Sequence, residues 1–152
     1  MTIVRAPSAR KTLLIVDDDI FVTDYLSLVL AQLNYDVHVA HNGMSGLGSV
    51  ARHRPDGIIL DLAMPKMNGF EFLVHLKAID RGQDTPVIVL SANHSSADVQ
   101  KALRLGAKGY VAKPVEEDVL KQRLGRLVPN PPYAMPASTH VVWDGTSPKS
   151  LL

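Results

Sequence analysis

The stretch "LLIVDDDI" (residues 13–20) sets an apolar run against three consecutive aspartates. With Thr12 in front, residues 12–16 form a short continuous apolar segment ending in Ile15 and Val16. That is the pattern of a strand buried on both faces. Like charges side by side repel, so Asp17, Asp18 and Asp19 need a reason to stand together. A solvated turn, a helix cap and part of a cation site all fit the bare triplet. Directly after it, Val22, Tyr25, Leu26, Val29 and Leu33 recur at helical spacing, so 20–33 reads as an amphipathic helix. Asp19 is placed to cap that helix.

Outward from this unit the pattern repeats. "YDVHVA" (35–40) alternates as a strand does, and "NGMSGLGSVARH" (42–53) carries Met44, Leu47, Val50 and Ala51 on one helical face. Its three glycines weaken the helix. "GIILDL" (57–62) is a second buried strand ending at an aspartate, and "MPKMNG" (64–69) is a turn-rich loop. Phe72, Leu73, Leu76 and Ile79 mark a third helix. "TPVIVLSA" (85–92) is the most apolar strand. Residues 95–105 form a helix with Val99, Ala102 and Leu103 inward and Gln100, Lys101 and Arg104 outward, stopping at Gly106. "KGYVAKP" (108–114) is the last strand. Pro114 with Glu116, Glu117 and Asp118 opens a final helix to about Val128. Strand and helix thus alternate five times, which predicts an α/β domain, a doubly wound parallel sheet with helices on both faces. Right-handed crossovers place all the strand C-termini on one edge, where sites in such sheets lie.

The chain has 152 residues, enough for one domain with a real core. Its formal net charge of +1 offers no basic stripe for nucleic acid. Without cysteine, disulfides, thiolate metal sites and thiol catalysis are excluded. No apolar run approaches the roughly 20 residues of a membrane span, and the start "MTIVRAPSARK" lacks a signal-peptide pattern, so a cytoplasmic protein is expected. Residues 1–10 read as an N-terminal extension, 11–128 as the domain, and 129–152 as a Pro-rich tail or arm. Within the tail, "THVVWD" (139–144) is suited to adding a strand or anchoring Trp143 on another subunit. The six histidines show no metal-ligand spacing, and His38, His41 and His75 read as solvated.

The strand ends carry the chemistry. Asp17 and Asp18 follow the first strand, Asp61 the third, Ser91 the fourth and Lys113 the fifth. Three carboxylates crowded on one rim are costly unless protonated, paired or bound to a cation. A magnesium ion suits oxygen ligands and leaves room for a phosphoryl oxygen. A carboxylate beside such an ion, a lysine and a hydroxyl is equipped to accept a phosphoryl group. Each residue alone is a weak signal; their appearance at successive strand ends is a much stronger one.

In "LLIVDDD", "IILDLAMPKMNGFEF", "VIVLSA" and "GYVAKP", in that order, the chain resembles the receiver domain of two-component response regulators. The spacing agrees: Ser91 lies 30 residues after Asp61 and Lys113 lies 52 after it. The resemblance implies the flavodoxin-like receiver fold, with five strands in the order 2-1-3-4-5. It implies Asp61 as phospho-acceptor, and Asp17, Asp18, Asp61 and the Ala63 backbone carbonyl around magnesium. Lys113 would touch the phosphoryl group, ahead of a Pro114 whose preceding bond is typically cis. Ser91 and Tyr110 would be the switch residues. The phosphoryl donor would be a sensor histidine kinase or a histidine phosphotransfer protein. The face made by the fourth helix, fifth strand and fifth helix would meet an output protein, a second receiver or a second copy.

Two departures stand out. Ser91 replaces the more usual threonine, which loosens χ1 control. Ala63 has no side chain to orient an attacking water, so Asn93 is the nearer candidate for tuning the phosphoryl lifetime. The resemblance implies a signalling phospho-receiver that catalyses only its own phosphorylation and dephosphorylation. A stand-alone regulator without DNA-binding output is expected, with a receiver fragment of a larger regulator as the alternative. A magnesium-dependent aspartyl-phosphate phosphatase is a further alternative, disfavoured because Ala63 stands where such enzymes need a second aspartate.

Overall fold

The computed structural model describes residues 10–93 and 95–130. The tail from 131 onward, including the suggested arm at 139–144, and most of the N-terminal extension lie outside the described residues. The elements run β1 (Thr12–Val16), α1 (Ile20–Gln32), β2 (Asp36–Ala40), α2 (Gly43–His53), β3 (Gly57–Asp61), α3 (Gly69–Leu76), a 3-10 turn (Gly82–Asp84), β4 (Val87–Ser91), α4 (Ser96–Arg104), β5 (Gly109–Ala112) and α5 (Glu117–Leu127). All pairings are parallel and the strand order is β2-β1-β3-β4-β5, as expected for the receiver fold.

The pleat sends alternate residues to opposite layers. Leu14, Val16, Ile58, Leu60, Val87 and Val89 pack under α2, α3 and α4, against Val50, Phe72, Leu73 and Ala102. Leu13, Ile15, Ile59, Ile88, Leu90 and Val111 face the other way, onto Leu26 and Leu30 of α1 and Leu120 and Leu124 of α5. Both central strands, β3 and β4, are buried along their whole length. This explains why they read as unbroken apolar runs rather than alternating ones.

Short polar side chains start most helices. Asp19 accepts the Phe21 N–H at 2.9 Å, Asn42 accepts from Ser45 and Ser95 from Asp98. Asn68 and Glu71 form a reciprocal capping box on α3. Gly106, with φ of 109°, follows the end of α4 as the glycine stop predicted there. At the far end of the domain, the Tyr35 hydroxyl donates to the Val128 carbonyl at 2.6 Å. Two residues on, Asn130 donates to the Leu33 carbonyl and accepts from the Lys11 N–H.

The structure corrects several details. Helix α2 buries Val50 as expected but not Met44 or Ala51; Gly43, Gly46 and Ser49 face inward instead. The reason is a close approach: a Cβ on Gly46 would stand 2.9 Å from the Phe72 ring and 3.0 Å from a Val16 methyl. Tyr25 and Leu103 are about half exposed rather than inward. Helix α3 ends at Leu76, and Ile79 reaches the core through tight i→i+3 turns. Pro114 does not open α5, which starts at Glu117; it follows a cis Lys113–Pro114 bond in the preceding loop. His38 is not solvated but half buried, with its ring stacked on His53.

Glycine packing in α2 makes a sign contrast testable by thermal denaturation. Gly48 has open space where a Cβ would go, so Gly48→Ala gains about 0.5–1 kcal/mol of helix propensity and raises Tm. Gly46→Ala forces Phe72 and Val16 apart, loses about 1–3 kcal/mol and lowers Tm.

Candidate functional site

The C-terminal edge of the sheet holds the polar residues that the apolar strands deliver to it. Asp17 follows β1 and is pinned by its N–H, which donates to the Ala40 carbonyl of β2 at 3.1 Å. Asp61 closes β3. Both carboxylates are buried, at 1% and 4% exposure, while Asp18 is exposed. One oxygen from each of Asp17, Asp18 and Asp61 lies within 4.8 Å of the others.

Lys113 enters from the far strand. Its N–H extends the ladder by donating to the Ser91 carbonyl at 2.9 Å. Its Nζ donates to Asp17 Oδ2 at 2.9 Å and stands 3.4 Å from Asp61 Oδ1. Asp17 Oδ1 accepts the Asp19 N–H at 2.9 Å, so both its oxygens are engaged. Asp61 is held differently. Its Oδ1 takes the Ala63 N–H at 3.3 Å and the lysine, which leaves Oδ2 without a protein partner among the described residues.

The electrostatics follow from this crowding. Burial and then the neighbouring Asp17 charge push the Asp61 carboxyl above its ordinary value, and Lys113 only partly offsets them. For Lys113, burial works to lower the ammonium, but the hydrogen bond to Asp17 and the charges of both aspartates outweigh it. The ammonium is held above its ordinary value.

Ser91, the last residue of β4, is buried, and its Oγ accepts the Asn93 N–H at 3.1 Å. Asn93 is a junction. Its carbonyl accepts the Tyr110 hydroxyl, its Oδ1 accepts the Ser95 N–H at 3.1 Å, and its Nδ2 donates to Asp98 at 3.0 Å. Tyr110 sits on β5 opposite Val89, half buried against the core.

The site residues expected from the sequence thus lie at this edge or in the strand leading to it. Asp17, Asp18, Asp61 and Lys113 form one cluster, with Ser91 ending the adjacent strand. Ala63 contributes its N–H to Asp61 from the loop beyond β3. Asp19 stays outside the acidic cluster and caps α1. Met64 is buried and Met67 packs in the same layer. Two interactions go beyond the sequence reading. His41 places Nδ1 3.2 Å from the Asp17 carbonyl oxygen. The bridging of Ser91 to Tyr110 by Asn93 has one sequence signal, the Asn-x-Ser turn before α4.

The donor set fits a hard divalent cation: three carboxylate oxygens, close together and partly open to solvent, with no nitrogen or sulfur among them. The model of the response regulator receiver domain matches residues 13–125. The chain belongs to that family. It is 38% identical over 111 residues to the Regulator of RpoS of Escherichia coli K12, covering 73% of this chain but 32% of that relative, about a third of its length. It is similar to the chemotaxis protein CheY4 of Vibrio cholerae, with a TM-score of 0.76, 32% identity, and coverage of 79% of this chain and 100% of that one. A third likeness is the receiver domain of sensor histidine kinase PA1611 from Pseudomonas aeruginosa, which has a magnesium ion coordinated in its active-site cleft. There the TM-score is 0.73, with 28% identity and coverage of 78% and 98%. Phosphorylation and magnesium binding are general features of receiver domains.

The raised Asp61 carboxyl fixes the sign of a pH effect. In magnesium-free buffer its ionised form is disfavoured by the fold. Its contribution to stability therefore falls as pH rises from the ordinary carboxylate value of 3.8 through the raised folded value. Lys113 adds no slope there, because its stabilising effect is complete below 10.5 and is lost only above it. Asp61→Asn is expected to raise Tm by a few degrees at pH 7. The gain should shrink to nothing as pH falls below the ordinary carboxylate range, followed by calorimetry.

Proposed function

We propose that this chain is a phospho-accepting receiver and that Asp61 is the acceptor. The observation carrying this is the asymmetry of the buried Asp61 carboxylate. Oδ1 is anchored by Ala63 and Lys113, and Oδ2 is left to act as nucleophile. A partner phosphohistidine presents its phosphoryl group in line. The bond from phosphorus to the imidazole nitrogen breaks as the bond to Oδ2 forms, and the histidine leaves with its electron pair. Lys113, already 3.4 Å from Oδ1, neutralises charge on the transferring oxygens.

Asp17, Asp18, Asp61 and the Ala63 carbonyl are the residues that would hold magnesium, which supplies charge neutralisation for the same oxygens. The acyl phosphate draws the Ser91 hydroxyl toward it. Because Ser91 and Tyr110 both bind the Asn93 backbone, a shift at one reaches the other. The output surface is then the face formed by α4, β5 and α5. It would bind an output protein, a second receiver or a second copy of this chain. The donor is a sensor histidine kinase or a histidine phosphotransfer protein, in the cytoplasm. No described helix is long and apolar enough to cross a membrane. We take the chain as a receiver acting by protein contact; spanning a third of a longer relative, it also fits as the receiver part of a larger regulator. A turnover phosphatase is disfavoured, since the position two after Asp61 offers only the Ala63 backbone.

Acetyl phosphate with magnesium is expected to add one phosphoryl group to the full chain by intact mass, and Asp61→Asn to abolish it. Lys113→Ala should slow labelling by an order of magnitude or more, roughly the loss of one charge-stabilising donor. Labelling that survives in Asp61→Asn overturns the assignment.

A further inference from the structure

Strand β2 is an edge of the sheet, and His38 sits at its centre. Its register partner, Leu14, belongs to the layer under α2, so His38 faces that helix. His53 is the last residue of α2 and brings its ring over His38. The ring centroids are 3.9 Å apart and the planes lie within 9° of parallel. Neither residue belongs to the acidic rim.

We propose that His38 and His53 form a two-imidazole site for a divalent transition-metal ion such as Ni²⁺ or Zn²⁺. Imidazole nitrogens favour these ions over magnesium, which prefers oxygen. Metal–nitrogen bonds of about 2.0–2.1 Å put two adjacent ligand nitrogens roughly 3 Å apart. The 3.9 Å centroid spacing brings both imidazoles within reach of one ion; because the rings are parallel, each must turn about χ2, breaking the stack, to aim a lone pair at that ion. Both backbones are fixed, β2 by its ladder to β1 and α2 by the Asn42 cap and buried Val50. His53 is exposed, so waters complete the coordination from solvent.

The surrounding charges are mixed. Arg52 opposes a cation here. Against it stand the negative end of the α2 dipole and Asp36, two positions before His38 on the same face of β2. Arg10 stands 3.9 Å from the Asp36 carboxylate and only partly cancels it.

The test is calorimetric titration of Ni²⁺ into the full chain, with magnesium in excess to occupy the acidic rim. One binding event is expected, weakened by about tenfold or more in each of His38→Asn and His53→Gln and unchanged in His41→Gln. Circular dichroism confirms that the variants are folded. Paramagnetic broadening of histidine ring signals by NMR, centred on His38 and His53, is the independent readout. The proposal is overturned if the wild-type chain shows no binding, if both variants bind as it does, or if broadening centres on His41 and the rim.

Discussion

Two buried carboxylates share one ammonium, and the rest of the molecule is arranged around that constraint. Val16 and Leu60 are register partners on adjacent parallel strands, so the residues that follow them, Asp17 and Asp61, emerge side by side. Strands about 4.8 Å apart leave them no way to separate. Lys113 reaches both from the opposite end of the sheet, after β5. Removing the Lys113 ammonium is costly, because both carboxylates stay desolvated without it. The rim is therefore poised: excess negative charge is held in place, partly compensated, beside an oxygen with no protein partner among the described residues.

Holding that rim takes close contacts as well as register. The start of α3 presses on the end of β3. A Cβ on Gly69 would stand 2.6 Å from the Asp61 carbonyl oxygen, and the Gly69 N–H donates to the Leu62 carbonyl at 2.9 Å. Gly46 lets Phe72 of α3 meet Val16 at the end of β1. Small residues thus stand against both acid-bearing strand ends, where bulk would push the neighbouring helices away. On the proposed reading this rigidity is useful, because an acceptor oxygen misplaced by an ångström loses its alignment with the incoming phosphorus.

Much of this was legible in the sequence. Continuous apolar runs ending at polar residues revealed both the strands and the rim, since period and polarity there report burial directly. Asp17, Asp18, Asp61 and Lys113 converge as the parallel topology requires. Apolar residues alone do not mark the buried face of α2, which is largely glycine and serine, and Met44 on the other side is 70% exposed. Pro114 read as a helix start because its context is acidic, whereas the helix begins three residues later. Contacts between distant residues leave no local pattern at all. His38 and His53 are fifteen positions apart on a strand and a helix, and only the crossover stacks their rings.

Asn93 shows how a short loop can couple the site to a distant face without moving the core. Its N–H holds the Ser91 hydroxyl and its carbonyl holds the Tyr110 hydroxyl, while its side chain is tied to the first turn of α4 through Ser95 and Asp98. The peptide groups flanking one residue therefore report to β4, β5 and α4 together. On the proposed reading, drawing the Ser91 hydroxyl toward a phosphorylated Asp61 takes away the acceptor of the Asn93 N–H. The loop must then find a new arrangement or strain the old one. Strands β3 and β4 cannot absorb the change, being buried along both faces. It falls instead on the Tyr110 ring and the α4 terminus, the parts of the network nearest solvent and so the least costly to rearrange.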